Sequence, residues 1–206
     1  MVMINPSDNK MLRRLYLWCI PLLIIPIIFC SATYQILIHK CIWWQCAPTR
    51  DFTIYDLNLP DHFFPSNAQV SPLHPDRQEV SVDEAATTNY WENGRAVYSV
   101  LRFSTIKKAE RWFDFEVNSF EFTKELDDIT AYKRVLEYRS KVADEHAVFC
   151  GYVSSDIQCD FGARYQEFYV FFSGSMGSGE MSVDDFLGVM DFVDTKMQEL
   201  LYSSSP

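Results

Sequence analysis

His62, His74 and His146 are the histidines placed to do chemistry beyond the N-terminal apolar run. Nucleophilic catalysis would need one of them in hydrogen-bond reach of a Ser or Cys, and itself oriented by a carboxylate. His62 and His74 fall in proline-rich stretches, His146 follows Asp144 and Glu145 at a strand edge, and no Ser is framed by the glycines of a nucleophile elbow. These residues specify no catalytic group, and the expectation is a protein that is not an enzyme. The run from Ser173 to Glu180 holds Gly174, Gly177 and Gly179 but lacks the Lys and the Ser or Thr of a phosphate-binding loop, so it reads as a linker. Asp156 and Asp160 offer two oxygen ligands without the alternating acidic spacing of a calcium loop. Neither a metal nor a cofactor is expected.

The cysteines fall at 19, 30, 41, 46, 150 and 159. Cys19 and Cys30 lie in the apolar run and act as small apolar residues. Cys150 and Cys159 are expected to be bridged, closing a loop of about ten residues worth roughly 2.5 to 3 kcal/mol on the chain-entropy account. Cys41 and Cys46 offer a second pair. Their spacing, CIWWQC, is not the two-residue spacing of a thioredoxin-like site, and no His cluster accompanies it.

Aromatic residues make up 16% of the chain, an excess that one core hardly needs. The strong strand pattern Ala163 to Ser173 puts Phe168, Val170 and Phe172 on one side, and on that reading Tyr165, Tyr169 and Phe171 face the other. A sheet apolar on both faces must be covered on both, by its own chain or by a partner.

The largest element is an uncharged apolar run, Leu15 to Ile38, preceded by Lys10, Arg13 and Arg14 and followed by His39 and Lys40. At about 24 residues it would reach roughly 36 Å, enough to span a bilayer. The expectation is a transmembrane helix at 15–38 with residues 1–14 in the cytoplasm and the domain outside, by the excess of positive charge before the run. Trp18, Trp43 and Trp44 would then sit at the membrane interfaces. The rival reading is a cleaved secretory signal ending near Cys30, Ser31 and Ala32.

Beyond the run, residues 39–94 read as a proline-rich lead-in segment and residues 95–206 as an α+β domain. Pro48, Pro60, Pro65, Pro72 and Pro75 exclude long helices there, with a short helix expected near Ser81 to Tyr90. Arg95 to Phe103 alternates as a strand. Ser104 or Thr105 opens a helix carrying Ile106, Ala109, Phe113, Val117 and Phe120 at three- and four-residue intervals. A strand is expected from about Val135, and a hairpin from Ala147–Tyr152 and Ala163–Ser173 with Ser154 to Gly162 as its turn. Ser182 caps a last helix with Val183, Phe186, Met190, Val193, Met197 and Leu200 on one stripe. The fold class is α+β: one N-terminal transmembrane helix, then an antiparallel sheet with two packed helices.

The chain has 18 Lys and Arg against 28 Asp and Glu, a formal charge of -10. Lys10, Arg13, Arg14 and Lys40 against Asp8 leave the first 40 residues at +3, so -13 lies beyond them. Such acidity argues against nucleic acid as a partner, because phosphate binding needs clustered cations.

The back half, with Ala143, Asp144, Glu145, Cys150, Cys159, Ala163, Arg164, Tyr165 and Phe172 and a helix carrying Phe186, Asp194 and Met197, resembles a group of uncharacterised bacterial membrane-anchored proteins of Chloroflexota type. More distantly, the element order is similar to extracytoplasmic sensor domains of bacterial kinases and to the PsbP-like sandwich. The resemblance covers roughly residues 95–201. It implies a bacterial setting and the bridged Cys150 and Cys159, and carries no catalytic residue across.

Two functions follow as expectations. One is a non-catalytic accessory or scaffold subunit of a membrane complex, touching the other subunits and the lipid bilayer through the span and the residues just after it. The other is an extracytoplasmic ligand-binding or sensor module.

Overall fold

The computed structural model describes residues 24–34, 41, 45–76, 81–119, 124–125, 130–154, 156–177 and 180–202. The chain divides into two units, Met1–Cys46 and Ala47–Pro206.

In the first unit, a helix α1 covers 24–34, and Cys41 is bridged to Cys46. At 1.5 Å per residue the described helix is about 16 Å long, half of what a hydrocarbon core requires. Among the described residues no helix is long and apolar enough to cross a membrane. This overturns the expected span at 15–38 and the single-pass placement that rested on it. An apolar run is a statement about composition, whereas a span requires about 20 apolar residues in one helix, and the described helix covers 24–34. The remainder of 15–38, with Trp18, and also Trp43 and Trp44, lie outside the described residues.

The second unit is built on a seven-stranded antiparallel sheet with strands β1 (His74–Pro75), β2 (Asp83–Trp91), β3 (Gly94–Arg102), β4 (Lys124–Glu125), β5 (Glu145–Val153), β6 (Asp156–Tyr165) and β7 (Phe168–Met176), in the order β1-β2-β3-β7-β6-β5-β4. Helices α2 (Ile106–Ser119), α3 (Lys133–Leu136) and α4 (Val183–Tyr202) complete it. The α+β expectation of an antiparallel sheet packed by two long helices is met by α2 and α4.

Strand β3 sends Ala96, Tyr98 and Val100 to one face and Leu101 to the other. The first face carries the larger core, where Phe161, Phe168, Val170 and Phe172 meet Phe186, Val189, Met190, Val193 and Met197 of α4. Helix α4 shares that face with the lead-in segment, whose Ile54, Leu57 and Phe64 are buried there. Side chains of the sheet and of the segment itself satisfy its irregular backbone: Tyr98 Oη donates to Leu57 O at 2.9 Å, Thr87 Oγ1 to Ser71 O at 3.0 Å, Ser71 N to Asn89 Oδ1 at 2.8 Å and Leu73 N to Asn58 Oδ1 at 2.7 Å. A proline-rich stretch can lie buried only when its polar groups are paired in this way. The opposite face carries Leu101, Phe103, Tyr169 and Phe171 beneath Ala109 and Phe113 of α2.

Four local expectations are corrected. Ser81 to Tyr90 is strand rather than helix, because Ala85, Thr87, Asn89 and Trp91 are buried at a period of two. Val135 lies in the short helix α3 and not in a strand. The apparent single strand Ala163 to Ser173 is broken by a turn at Gln166 and Glu167, which places Tyr165 opposite Phe168 and on the same face. The segment Ser154 to Gly162 is a tight turn followed by most of β6.

Cys150 and Cys159 are directly opposed across β5 and β6, with Cα atoms 4.1 Å apart and a disulfide joining them. The bridge reinforces a register that the sheet already holds. Replacing both residues by Ser is expected to lower unfolding stability by about 2.5 to 3 kcal/mol. Urea unfolding of the oxidised chain beside the variant measures this, and an unchanged midpoint would show the bridge to be energetically idle.

Candidate functional site

The three histidines do not converge on a nucleophile. His62 is exposed and its ring packs on Phe63, His74 Nδ1 lies 3.3 Å from its neighbour Pro72 O, and His146 Nε2 lies 3.4 Å from Tyr138 O. Asp144 and Glu145, the carboxylates beside His146, are instead held by Arg164 at 3.0 and 2.6 Å. No group of three or more His, Cys, Asp or Glu able to hold a metal ion occurs among the described residues.

Several buried polar groups are closed structural sets. Asp194 on α4 accepts from Tyr165 Oη at 2.6 Å, Ser140 Oγ at 2.7 Å and Tyr138 Oη at 2.8 Å. Burial and the adjacent carboxylate push both phenols well above the ordinary tyrosine range, so they stay donors. Glu167, with a fully buried side chain, takes both nitrogens of Arg50 at 2.8 Å, and the Glu167 hydrogen bond raises the Arg50 pKa.

Beneath α2 lies a second polar group. Tyr169 is 1% exposed and its Oη has no hydrogen-bond partner among the described residues. It sits so close to β6 that a Cβ on Gly162 would lie 2.9 Å from it, which requires glycine there. Burial raises the Asp160 carboxyl, partly offset by hydrogen bonds with Ser173 and Gln158, and burial raises Glu116 as well. Tyr169 and Asp160 are sealed by the helix, and neither lines any of the clefts described below.

The arrangement that faces outward is on the flank of α2. Thr105 opens the helix by accepting Lys108 N at 3.1 Å on its hydroxyl, and Ala109 and Phe113 turn to the sheet. That rotation leaves Lys108, Arg111 and Phe115 off the buried stripe, with Trp112 half-buried at its edge and packed against the core. Lys108, Arg111 and Trp112 join Phe103 to line a cleft of about 260 Å3. Phe103, Trp112 and Phe115 form a series of rings with centroids 6.0 and 5.6 Å apart, and Phe115 is 61% exposed. Among the described residues Trp112 Nε1 is screened from solvent and has no hydrogen-bond partner, and Lys108 Nζ rests 2.8 Å from Ser104 Oγ. The lining polar groups are all donors.

Two further clefts lie among the described residues. In one of about 420 Å3, Asp56 already caps Thr53 N at 2.7 Å and Glu199 pairs with Lys196 at 2.8 Å. The other, about 700 Å3, is a concavity between Asp61, His62 and Pro65 within the lead-in segment, with Phe64, Ala68 and Val70 as its floor.

Comparison of the chain with protein-family models, curated proteins and solved structures finds no match. The reading of the α2 flank therefore rests on its own geometry. A signal for it was present in the sequence: Trp112 and Phe115 fall outside the Ala109, Phe113 and Val117 stripe, and Lys108 and Arg111 lie one turn before them.

Proposed function

We propose that this protein is a non-catalytic accessory module that binds a protein partner through the Trp112 and Phe115 flank of α2, in an oxidising compartment. The observation that carries the reading is Phe115: a phenylalanine 61% exposed, its ring tilted against Trp112, has no role in the domain's own core. Trp and Arg are the residue types that dominate binding energy at protein interfaces, and both are present here. The two disulfides support the oxidising setting, since such bonds rarely persist where thiols are kept reduced.

The test is quantitative recovery of partner from the native host on tagged full chain, beside Phe115→Asp. The variant changes an exposed position and is expected to unfold within about 0.5 kcal/mol of the parent. Partner recovery is expected to fall at least about tenfold, the effect of a single interface anchor. Equal recovery by both proteins would overturn the reading.

A further inference from the structure

We propose that Asn93 is a site of spontaneous chain modification, at which its side-chain amide is lost and the backbone is rerouted through an isoaspartyl link. The proposal stands apart from the α2 flank and does not depend on it.

Such a step asks three things of an asparagine: a following residue with no Cβ to crowd the attack, a side chain free to turn back on the chain, and access to water. Asn93 combines them. Glu92 and Asn93 form the two-residue connection between β2 and β3, closed by the pair Trp91 and Gly94. Asn93 is exposed, glycine follows it, and among the described residues its side chain has no hydrogen bond. Each of the other described asparagines lacks a condition. Asn58 donates to Tyr55 O at 2.8 Å and accepts Leu73 N at 2.7 Å. Asn89 is 1% exposed and accepts Ser71 N at 2.8 Å. Asn118 lies within α2 and donates to Asp114 O at 2.6 Å. Asn67 is exposed, but Ala68 follows it, and Ala68 N donates to Pro65 O at 2.8 Å.

Packing holds the glycine in place. A Cβ on Gly94 would lie 2.7 Å from Trp91 Nε1 and 2.8 Å from Ser175 Cβ. Ser175 is itself tied to the same turn, because its Oγ accepts Arg95 N at 3.2 Å. The fold therefore requires at 94 the residue that makes Asn93 labile.

In the reaction the Gly94 backbone nitrogen attacks Asn93 Cγ. A C–N bond forms and closes a cyclic imide, the Cγ–Nδ2 bond breaks, and the Gly94 amide proton leaves with ammonia. Water, the sole co-reactant, then opens the ring: addition at Cγ gives aspartate, and addition at the Asn93 main-chain carbonyl gives isoaspartate. Either product adds a negative charge beside Glu92. The isoaspartyl form also adds a backbone atom to the two-residue loop, which the Trp91 and Gly94 register does not accommodate. The Gly94 nitrogen becomes available when this end of the hairpin opens, and local opening costs least at such exposed ends.

The experiment holds the oxidised full chain at mildly alkaline pH and body temperature, beside Asn93→Gln and the urea-unfolded full chain, and maps conversion by mass spectrometry with fragmentation to place each change. Residue 93 is expected to convert at least about tenfold faster than Asn58, Asn67, Asn89 or Asn118, and within about a hundredfold of its rate in the unfolded chain. Isoaspartate should exceed aspartate, and ammonia should appear in step with both. Asn93→Gln, whose longer side chain closes the ring poorly, should release far less. Earlier conversion of another of these asparagines, aspartate without isoaspartate, ammonia release unchanged in Asn93→Gln, or a native rate more than about a hundredfold below the unfolded one each overturns the proposal.

Discussion

Arg50→Ala is expected to lose about 3 to 5 kcal/mol of unfolding stability, among the largest effects of any single substitution in this chain. The Glu167 side chain is 0% exposed, and Arg50, itself 13% exposed, supplies two hydrogen bonds of 2.8 Å to it. Arg102 Nη2 stands 3.8 Å from Glu167 Oε1, too far to replace them. Truncating Arg50 therefore leaves a buried carboxylate without its hydrogen-bonded partner and with only the more distant Arg102 as counter-charge, which is a costly way to break an ion pair. The same guanidinium donates to Gln166 Oε1, so one side chain ties the lead-in segment to the β6–β7 turn. Loss of that tie should also raise hydrogen exchange around Phe52, whose ring stacks on Phe168 at 5.3 Å. The paired replacement Arg50→Met with Glu167→Leu is expected to recover most of the loss, because both charges then leave together. Denaturant unfolding of the four proteins gives the coupling, and additive single losses would show that the pair does not act as a unit.

The parts of this fold that were legible in the sequence are those where a local rule and the tertiary need agree. Helix α4 reads clearly because Ser182 caps it, accepting Asp185 N at 3.1 Å, and Phe186, Met190, Val193 and Met197 recur on one side and are all buried. The Cys150 and Cys159 bridge was legible from spacing and now lies across two paired strands. The β6–β7 turn was not legible, because it uses neither Gly nor Asn. Gln166 adopts a left-handed conformation, φ 55°, and is held there by contacts from distant residues: its N–H donates to Asp144 Oδ2 at 2.6 Å and its side chain accepts from Arg50. Strand β2 was missed for a related reason. Its inward residues include Thr87 and Asn89, polar side chains buried because the lead-in segment uses them, and hydropathy alone cannot show that. The apolar run at 15–38 pointed the other way: its composition announced a span, and among the described residues no helix is long and apolar enough to make one. The α2 flank was legible only in part: the helical phase sets Phe115 apart from the stripe above the sheet, but Trp112 is half-buried and packs against that core.

Asp194→Ala is expected to lose about 3 kcal/mol or more, with a fall in Tm on the order of 10 °C for a domain of this size. The carboxylate is 8% exposed and organises three hydroxyls from separate parts of the chain: Tyr138 and Ser140 in the loop after α3, and Tyr165 at the end of β6. Ser140 Oγ in turn accepts Val142 N at 3.2 Å and Ala143 N at 2.8 Å, so the loop backbone depends on the same centre. Removing the acceptor strands three donors, of which Tyr165 is 0% exposed and cannot turn to water. Asp194→Asn keeps the shape but replaces one acceptor oxygen with a donor facing donors, so it should recover only part of the loss. Tyr165→Phe with the carboxylate intact removes one donor and leaves two, and should lose no more than about 1 to 1.5 kcal/mol. The ordering alanine, then asparagine, then Tyr165→Phe separates a shared acceptor from simple packing, because a packing role would make the near-isosteric Asp194→Asn the mildest of the three. Thermal and urea unfolding of these variants measure it, and Asp194→Asn equal to the parent would overturn the assignment of the carboxylate as the centre that fixes the loop to α4 and the sheet.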